Sequence, residues 1–340
     1  MSMTPKERFL KAISLQEVDR PPVTCSNQTA TVEQMHKIGV SWPDAHKDSK
    51  KMAKLAAAAW ELTGLEGIGV PFCQTVEAEI LGCEIKWDNK ENSIPSVPFL
   101  GYKSPEDVVV PENILEKGRM PVVLKALEIL KEKYGDHIPI MGHVNGPFSL
   151  ASNLTEPTKM MMMVLRNPDA IPEFCKIAVD VIAEYANAMF DHGADLVVVE
   201  DMIASVDLLG PAFYVQFAVP YEKELISKLK GPNILHICGD ADPVIEDMLS
   251  TGTDCISLDS KANGENAIAI SKGKAAVMGN VDALKALMRG TPEDVRANTM
   301  ESIMAGADLV APGCSISPLT PDANIKVMVD TVKKYNKKTN

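Results

Sequence analysis

The stretch Asn233-Ile-Leu-His-Ile-Cys-Gly-Asp240 carries the clearest signals of both a scaffold and a site in this chain. Its short apolar run is typical of a buried β-strand, and a glycine follows the run. Because side chains alternate along a strand, His236 and Cys238 project to the same side. A histidine and a cysteine side by side at the end of a strand form half of a zinc site. The zinc hypothesis therefore needs a scaffold and a further ligand from elsewhere in the chain.

Seven other short apolar segments resemble this strand and alternate with helical patterns. They cover residues 21–25, 67–72, 138–144, 196–200, 255–259, 275–279 and 309–313. Nearly all-apolar strands of this kind favour a parallel sheet with helices on both faces. Eight such units predict an α/β fold that closes into a (β/α)8 TIM barrel. An open doubly wound sheet is the alternative, but no G-x-G-x-x-G fingerprint follows a strand.

The chain length fits one barrel, since 340 residues exceed the roughly 250 that this fold needs. We therefore predict a single domain over residues 1–340. The segment 4–14 predicts a helix ahead of the first strand, so that the barrel has an N-terminal helical extension. Thr4 can cap this helix, Pro5 suits its first position, and Glu7 completes a capping box.

Composition excludes several classes of function. The net charge of −12 argues against nucleic acid or an anionic membrane surface as a partner. Charged residues interrupt the apolar runs before a bilayer could be spanned, and the N-terminus lacks the pattern of a signal peptide. The seven cysteines are scattered and include no C-x-x-C pair, which favours reduced thiols. Together these features predict a cytoplasmic protein.

Polar residues follow the predicted strands where the mouth of a barrel would be. Reactive groups in TIM barrels lie on the loops after the C-terminal ends of the strands. Here these positions hold, in chain order, Cys73, Gln74, Glu77, His143, Asn145, Glu200, Asp201, His236, Cys238, Asp259, Asn280, Asp282 and Cys314. A site assembled from several strand ends is therefore predicted at the mouth.

Within this set, His236, Cys238 and Cys314 form the strongest candidate metal site. Two thiolates and one imidazole leave a fourth position open, which is the catalytic rather than the structural zinc pattern. Gly239 and Gly313 flank the cysteines and leave room for close approach. Spacing alone, with 76 positions between the cysteines, favours the plainer alternative of two buried cysteines and a hydrogen-bonded core histidine.

Other residues have two interpretations. A lone strand-end histidine such as His143 is more often structural than catalytic. The pair Glu200-Asp201 could act as a base or orient a ligand, and could equally cap a helix. Asp259 could be a fourth metal ligand, a partner of His236 or a helix cap. Of the four consecutive methionines at 160–163, one or two could face a ligand or a partner protein, although flexible core filling is favoured.

At the level of whole motifs, the chain resembles the uroporphyrinogen decarboxylase superfamily and, within it, the methylcobamide:coenzyme M methyltransferases. The motifs that carry the resemblance are TPKERFLKAISLQEVDRPP, TATVEQM, WPDAH, VEAEILGCEI, NGPFSLAS, YANAMFDHGAD, LHICGD and LVAPGCSISPLTPDANIK. They cover nearly the whole chain. The last two carry the family's zinc ligands, which map to His236, Cys238 and Cys314, and the family fold is a (β/α)8 barrel.

The resemblance implies a reaction and its partners. Zn²⁺ would bind the thiol of coenzyme M, and the thiolate would take a methyl group from a methylcobamide. A free thiol has a pKa near 8.5, and coordination to zinc removes its proton. Because no corrinoid-binding segment is visible, the methylcobamide should be carried by a separate small corrinoid protein that docks at the barrel mouth.

We expect the catalytic residues to be the three zinc ligands. The expected substrate-binding residues are Gln74, His143, Asn145, Asp201 and Asp259. The sulfonate of coenzyme M also needs a binding group. Backbone N–H groups at a helix N-terminus near Asn145-Gly146-Pro147 are one candidate for it.

Three competing functions remain at this stage. A uroporphyrinogen-type decarboxylase would need an N-terminal arginine-rich motif, whereas residues 20–25 contain one arginine. A related corrinoid-dependent methyltransferase could use another donor or acceptor, such as a methoxyaromatic, a methylamine or a folate. A non-catalytic zinc-binding docking module would need a closed fourth position, which Asp259 or Glu77 could supply.

Overall fold

The structure is a computed structural model that describes residues 3–27, 30–88, 90, 93–98 and 101–335. The two ends of the predicted 1–340 domain, residues 1–2 and 336–340, lie outside the described residues. Six continuous strands form one parallel sheet in sequential order. These strands are β1 (Ile68–Val70), β2 (Ile140–Asn145), β3 (Leu196–Glu200), β4 (Asn233–His236), β5 (Cys255–Ser257) and β6 (Ala276–Met278).

Helices connect the strands and cover the sheet, as the alternating pattern predicts. They are α1 (Pro5–Ile13), α2 (Val32–Ile38), α3 (Ser49–Ala58), α4 (Val76–Ile80), α5 (Met120–Tyr134), α6 (Pro147–Thr155), α7 (Pro157–Arg166), α8 (Ile171–Asp191), α9 (Val206–Leu209), α10 (Pro211–Phe217), α11 (Val219–Lys228), α12 (Ile245–Ser250), α13 (Gly264–Ser271), α14 (Pro292–Ala305) and α15 (Asp322–Lys334). None of the helices in the described ranges combines the length and the apolar character needed to cross a bilayer.

The first and last predicted strands close the barrel, but only through isolated bridges. Val23 pairs in parallel with Val310, and Met278 at the end of β6 pairs with Leu309. The Glu66 backbone N–H donates to the Val23 carbonyl at 2.7 Å, which joins the first segment to the approach of β1. The ring of eight segments is therefore complete, and the predicted TIM barrel is confirmed.

Prolines explain why two of the eight predicted strands are reduced to bridges. The segments 21–25 and 309–313 contain Pro21, Pro22 and Pro312, and a proline has no N–H to donate to a ladder. Val310 donates to the Pro22 carbonyl and accepts from Thr24, both at 2.9 Å, so pairing continues only where N–H groups exist.

Helix α1 is the predicted N-terminal extension, and its capping box is present as expected. The Thr4 hydroxyl accepts from the Glu7 backbone N–H, and the Glu7 carboxylate accepts from the Thr4 N–H. The apolar face of α1, which includes Phe9 and Ile13, packs in one cluster with residues from the barrel interior such as Met141 and Leu196. Helix α1 therefore closes the N-terminal end of the barrel.

The barrel interior changes from apolar to polar along the strands. Apolar side chains from β2 to β6 fill the end next to α1. One or two inward-facing positions closer to the C-terminal ends of the strands, the interior residues are polar. The strand register aligns Asn145 with Glu200, Glu200 with His236, and His236 with Ser257. All four side chains are buried, so a layer of polar groups lies beneath the C-terminal mouth.

Candidate metal centre at the barrel mouth

Three predicted metal ligands converge at the C-terminal ends of the strands. His236 is the last residue of β4, Cys238 lies two positions further on, and Cys314 follows the bridge segment 309–312. The Cys238 Sγ lies 3.5 Å from His236 Nε2 and 3.9 Å from Cys314 Sγ. All three candidate ligand atoms lie within 4.8 Å of one another. The residues therefore form a compact nitrogen and sulfur site.

The orientation of the His236 ring leaves one nitrogen available. His236 is fully buried, and its Nδ1 lies 3.2 Å from the Ser257 carbonyl and 3.1 Å from the Ser257 hydroxyl. A carbonyl only accepts, so Nδ1 carries the proton and Nε2 presents its lone pair. The Ser257 hydroxyl in turn lies 3.0 Å from that of Ser26. This arrangement is the usual orientation of a histidine that binds a metal.

Glycines next to the two cysteines permit the close approach of the loops. Gly239 has a φ of +87°, and its N–H donates to Asp259 Oδ2 at 3.0 Å. A Cβ at Gly313 would lie 2.3 Å from the Ser260 backbone nitrogen. No larger residue fits at Gly313 without moving this backbone, so both glycines are needed to bring the thiols together.

The two thiols are electrostatically unequal. A hydrogen bond from Cys238, with help from the His236 ring, lowers the pKa of Cys314 well below its usual range. The same hydrogen bond, together with burial, raises the pKa of Cys238. The hydrogen bond between the two sulfurs therefore favours a state in which they share a proton, and a cation bound between them would displace that proton.

Glu200 lies in the same layer as His236 and faces the mouth. Its Oε2 accepts from the Gln74 side chain at 2.6 Å, whereas its Oε1 is buried and has no hydrogen-bond partner among the described residues. Burial raises the pKa of Glu200 to about 8. At neutral pH this side chain is mostly protonated and has an unused hydrogen-bonding position beside the site.

Asn145 holds the loop after β1 in place. Its backbone N–H and its Nδ2 both donate to Glu77, each at 2.8 Å, and the Nδ2 also donates to the Gln74 carbonyl at 3.1 Å. Burial raises the pKa of Glu77. The Asn145 Oδ1 is buried without a partner in the described part of the chain. Asn145 is therefore engaged in positioning Glu77 and the backbone of Gln74.

Two other predicted site residues, His143 and Asp259, have structural partners. His143 points its Nδ1 at the Pro71 carbonyl, 3.2 Å away, and burial lowers its pKa to about 4, so the ring is neutral. The Asp259 carboxylate accepts from the backbone N–H groups of Gly239 and Lys261, which fixes the turn after Cys238. It is absent from the ligand cluster, although its contacts stabilise that cluster.

Asp201 caps a helix, which is one of the two roles that the sequence allowed for it. Its two oxygens accept from the backbone N–H groups of Phe148, at 3.2 Å, and Ser149, at 2.7 Å, at the start of α6. A carboxylate at a helix N-terminus satisfies donors that the helix itself leaves unpaired. The helix N-terminus near 145–147, a candidate for holding a sulfonate, is therefore already occupied by Asp201.

A cavity of about 310 Å³ opens next to Gln74. Apolar groups on its wall come from residues such as Met202, and polar groups come from Gln74, Thr75, Ser96, Ser149, Asn153 and Glu156. No lysine or arginine lines it among the described residues. Since Gln74 also donates to Glu200, the cavity adjoins the polar layer that contains His236.

Sequence reasoning missed the roles of Ser257 and Ser26. Ser257 is the last residue of β5, and its hydroxyl contacts both His236 and Ser26. Serine is common in strands and loops, so neither residue type stands out in the sequence. A signal for Ser257 was available, because it lies two positions before Asp259 and so shares its side of the strand. No such signal existed for Ser26, whose contact with Ser257 joins residues 231 positions apart.

Comparison with known proteins identifies the family. Residues 4–335 match the family described as uroporphyrinogen decarboxylase (URO-D). The chain is 39% identical, over 98% of both chains, to methylcobamide:CoM methyltransferase MtbA of Methanosarcina mazei. It is 36% identical, over the same shares, to methylcobamide:CoM methyltransferase MtaA of Methanosarcina barkeri. A solved methyltransferase from Methanosarcina mazei matches with a TM-score of 0.94 at 36% identity, covering 98% of this chain and 99% of that one. The chain therefore belongs to the uroporphyrinogen decarboxylase family.

Proposed function

We propose that this protein is a zinc-dependent methyltransferase that moves a methyl group from a methylated corrinoid to the thiol of coenzyme M. The observation that carries the proposal is the His236–Cys238–Cys314 cluster in a chain whose full-length relatives are named methylcobamide:CoM methyltransferases. A relative with 33% identity from Methanosarcina mazei is named methylated-thiol--coenzyme M methyltransferase, so coenzyme M recurs among these relatives although the methyl donor differs.

The geometry of the cluster fits Zn²⁺. Zinc bonds of about 2.3 Å to sulfur and about 2.0–2.1 Å to nitrogen, at tetrahedral angles, require sulfurs about 3.8 Å apart and a sulfur–nitrogen separation of about 3.5 Å. The distances between the side chains are 3.9 Å and 3.5 Å. A set of two thiolates and one imidazole also suits zinc better than the hard cations Mg²⁺ or Ca²⁺.

The fourth coordination position is proposed to belong to the substrate. Asp259 and Glu77, the two residues that could close the site, are already engaged with Gly239 and Asn145. Within the described ranges, no fourth histidine, cysteine or carboxylate belongs to the cluster. When bound, Zn²⁺ would keep the thiol of coenzyme M deprotonated and nucleophilic at neutral pH. This open position favours an enzyme over a docking module.

The chain's own residues orient and shield this site. Ser257 fixes the ring of His236, and Asp259 fixes the turn that carries Cys238. Of the five predicted substrate-binding residues, Gln74 is the one that lines the cavity, next to Ser149 and Asn153. We propose that these three neutral side chains hold coenzyme M through hydrogen bonds. For the other four predicted residues, His143, Asn145, Asp201 and Asp259, we propose a role in positioning the loops around the site.

The methyl donor is proposed to stay outside the barrel. A cavity of about 310 Å³ lies at the lower limit for small-molecule pockets and is too small to enclose a corrin ring with its side chains. A corrinoid carried by a separate small protein would dock over the mouth and present its methyl group to the site.

A cytoplasmic location remains our prediction, and none of the seven cysteines forms a disulfide.

A decarboxylase function has less support. Relatives named uroporphyrinogen decarboxylase are 25–27% identical to this chain, against 36–39% for the CoM methyltransferases. The single arginine of residues 20–25, Arg20, is bound to Glu66 at 2.5 Å rather than facing a substrate. An enzyme that binds a tetrapyrrole with several carboxylates needs cations at its site, and the cavity next to Gln74 has none among the described residues.

A direct assay tests the proposal. Zinc-loaded protein is mixed with free methylcobalamin and coenzyme M, and the corrin absorbance is followed. We expect demethylation that depends on the thiol and stops when zinc is removed by a chelator. Dimethyl sulfide in place of methylcobalamin tests the methylated-thiol alternative. The absence of thiol-dependent demethylation in a protein with stoichiometric zinc would contradict the coenzyme M proposal.

A further inference from the structure

A second cavity, of about 430 Å³, lies along α7 on the outside of the barrel. We call it the α7 groove. Three cations line it, Lys103, Lys159 and Arg166, together with Met162 and Met163. It therefore combines positive charge with flexible apolar side chains, in a chain whose net charge is −12.

The wall of the α7 groove is a built part of the fold. The Tyr102 backbone N–H donates to the Leu154 carbonyl at 2.7 Å, and its hydroxyl donates to the Leu81 carbonyl at 2.7 Å. A Cβ at Gly101 would lie 2.3 Å from the Thr155 carbonyl carbon, so only glycine allows this loop to approach α6. The position of Lys103 is thus fixed by backbone contacts.

The groove lies beside the barrel mouth. Helix α6 begins two residues after β2 ends, and its residues Ser149 and Asn153 line the mouth cavity, as do Glu156 and Pro157 at the junction with α7. The next turn of α7 supplies Lys159 and the methionines of the groove. The mouth cavity and the α7 groove therefore lie on the two sides of one helix junction.

The charges and apolar groups of the groove are available to a partner. Among the described residues, Lys159 pairs with Glu156 at 3.1 Å, while Lys103 and Arg166 have no ion-pair partner. Met160 is buried in the core, but Met162 on the wall of the groove is 39% exposed. Leu165, which precedes Arg166 on the same helix, is 69% exposed. Exposed methionine and leucine rimmed by unpaired cations are typical of a protein-binding surface, and methionine adapts its shape to the partner.

We infer that the α7 groove receives an acidic and partly apolar surface of the corrinoid-carrying protein while the corrinoid faces the mouth. This inference rests on the proposed function. The open shape and the exposed cations favour a protein surface over a small ligand, which would need a deeper pocket to bury its area. Attraction between opposite charges would raise the rate of encounter and orient the partner.

A charge-reversal variant tests the inference with two methyl donors. One donor is free methylcobalamin, and the other is a recombinant small corrinoid-binding protein from the same organism, loaded with methylcobalamin. For K103E/R166E we expect the KM for the protein-borne donor to rise about tenfold and the salt dependence to weaken. With free methylcobalamin we expect kinetics within twofold of wild type.

A matched control reverses Lys272 and Lys274, which are exposed and precede β6, at the opposite end of the barrel. K272E/K274E changes the net charge equally and should leave both donors unaffected. Wild-type kinetics of K103E/R166E with the protein-borne donor would overturn the groove assignment alone. An equal loss with free methylcobalamin would also overturn it, by showing an effect on the small substrates. A wild-type protein inactive with both donors would overturn the proposed function first, and this inference with it.

Discussion

At the N-terminal end of the barrel, the buried carboxylate of Glu66 lies between two arginines, whereas at the C-terminal end Glu77 and Glu200 are buried with amide partners. Arg8 donates to Glu66 at 3.1 Å and Arg20 at 2.5 Å. At the mouth, the partners are the side chains of Asn145 and Gln74. At the N-terminal end, arginines neutralise the buried carboxylate. At the mouth, burial favours the protonated form of the carboxyl groups.

The difference separates stability from function within one barrel. The ion pairs of Glu66 tie α1 and the first bridge segment to β1, so they hold the ring closed. The carboxyl groups at the mouth have raised pKa values, and Glu200 keeps an oxygen without a partner among the described residues. Buried polar atoms without hydrogen-bond partners and shifted pKa values are typical of functional sites. Changes at the two ends should therefore have different consequences.

The largest effect is expected from the metal centre. In Cys314→Ser, the site loses a soft anionic ligand, and we expect zinc affinity to fall by more than the roughly 100-fold that loss of a supporting contact costs. Zinc content after dialysis and methyl transfer from free methylcobalamin measure this. Cys175→Ser, at a buried cysteine far from the cluster in sequence, is the control and should retain zinc. Full metal content in Cys314→Ser and in Cys238→Ser would rule out the ligand assignment.

A large loss of stability is expected at the opposite end. Glu66→Ala leaves Arg8 and Arg20 without their buried partner, which should cost about 3–5 kcal/mol of unfolding free energy. Urea denaturation of the zinc-loaded protein measures it, and the activity per folded molecule should be unchanged. The control is Glu17→Gln, at an exposed side chain between α1 and the segment 21–25. Its unfolding free energy should stay within about 0.5 kcal/mol of wild type. A loss of activity without a loss of stability in Glu66→Ala would contradict the assignment of stability to the N-terminal end and of function to the mouth.

A pH-dependent effect is expected at Glu200. Because its pKa is about 8 when folded and near 4.5 when unfolded, the folded state holds a proton that the unfolded state releases over this range. Its contribution to stability is therefore complete below about pH 4.5 and is lost as the pH rises through 8, with a slope of up to about 1.4 kcal/mol per pH unit. Glu200→Gln should lack this decline, as thermal unfolding of the metal-free protein from pH 5 to 8 can show. Parallel curves for the two proteins would mean that Glu200 is ionised when folded.

The smallest effect is expected at Asp201. Removal of the cap in Asp201→Ala should cost about 1–2 kcal/mol of stability, because the N–H groups of Phe148 and Ser149 lose their acceptor. The KM for coenzyme M should change less than twofold in steady-state assays at saturating methylcobalamin. A tenfold rise in this KM at unchanged stability would restore Asp201 as a substrate-binding residue.

The sequence predicted what depends on local pattern. The eight segments, the capping box of Thr4 and the shared side of His236 and Cys238 follow from periodicity and from residue chemistry. The approach of Cys314 to His236 and Cys238 was predicted from the barrel and the family resemblance, but most other contacts between distant segments have no local pattern that encodes them. The cap that Asp201 provides to α6 and the contact of Gly101 with Thr155 join elements whose relative position only the folded barrel defines.

The closure of the barrel by its first and last segments has a consequence for biosynthesis. Val23 pairs with Val310, and Leu309 belongs to the cluster that contains Phe9 of α1, so these early residues find their last partners only after about 300 further residues have been made. Contacts of such long sequence separation form slowly. The nascent chain must therefore leave an apolar helix and an unpaired edge exposed while the ribosome completes the last units. Such exposed surfaces are prone to aggregate, so this protein should depend on chaperones during synthesis more than its final stability suggests.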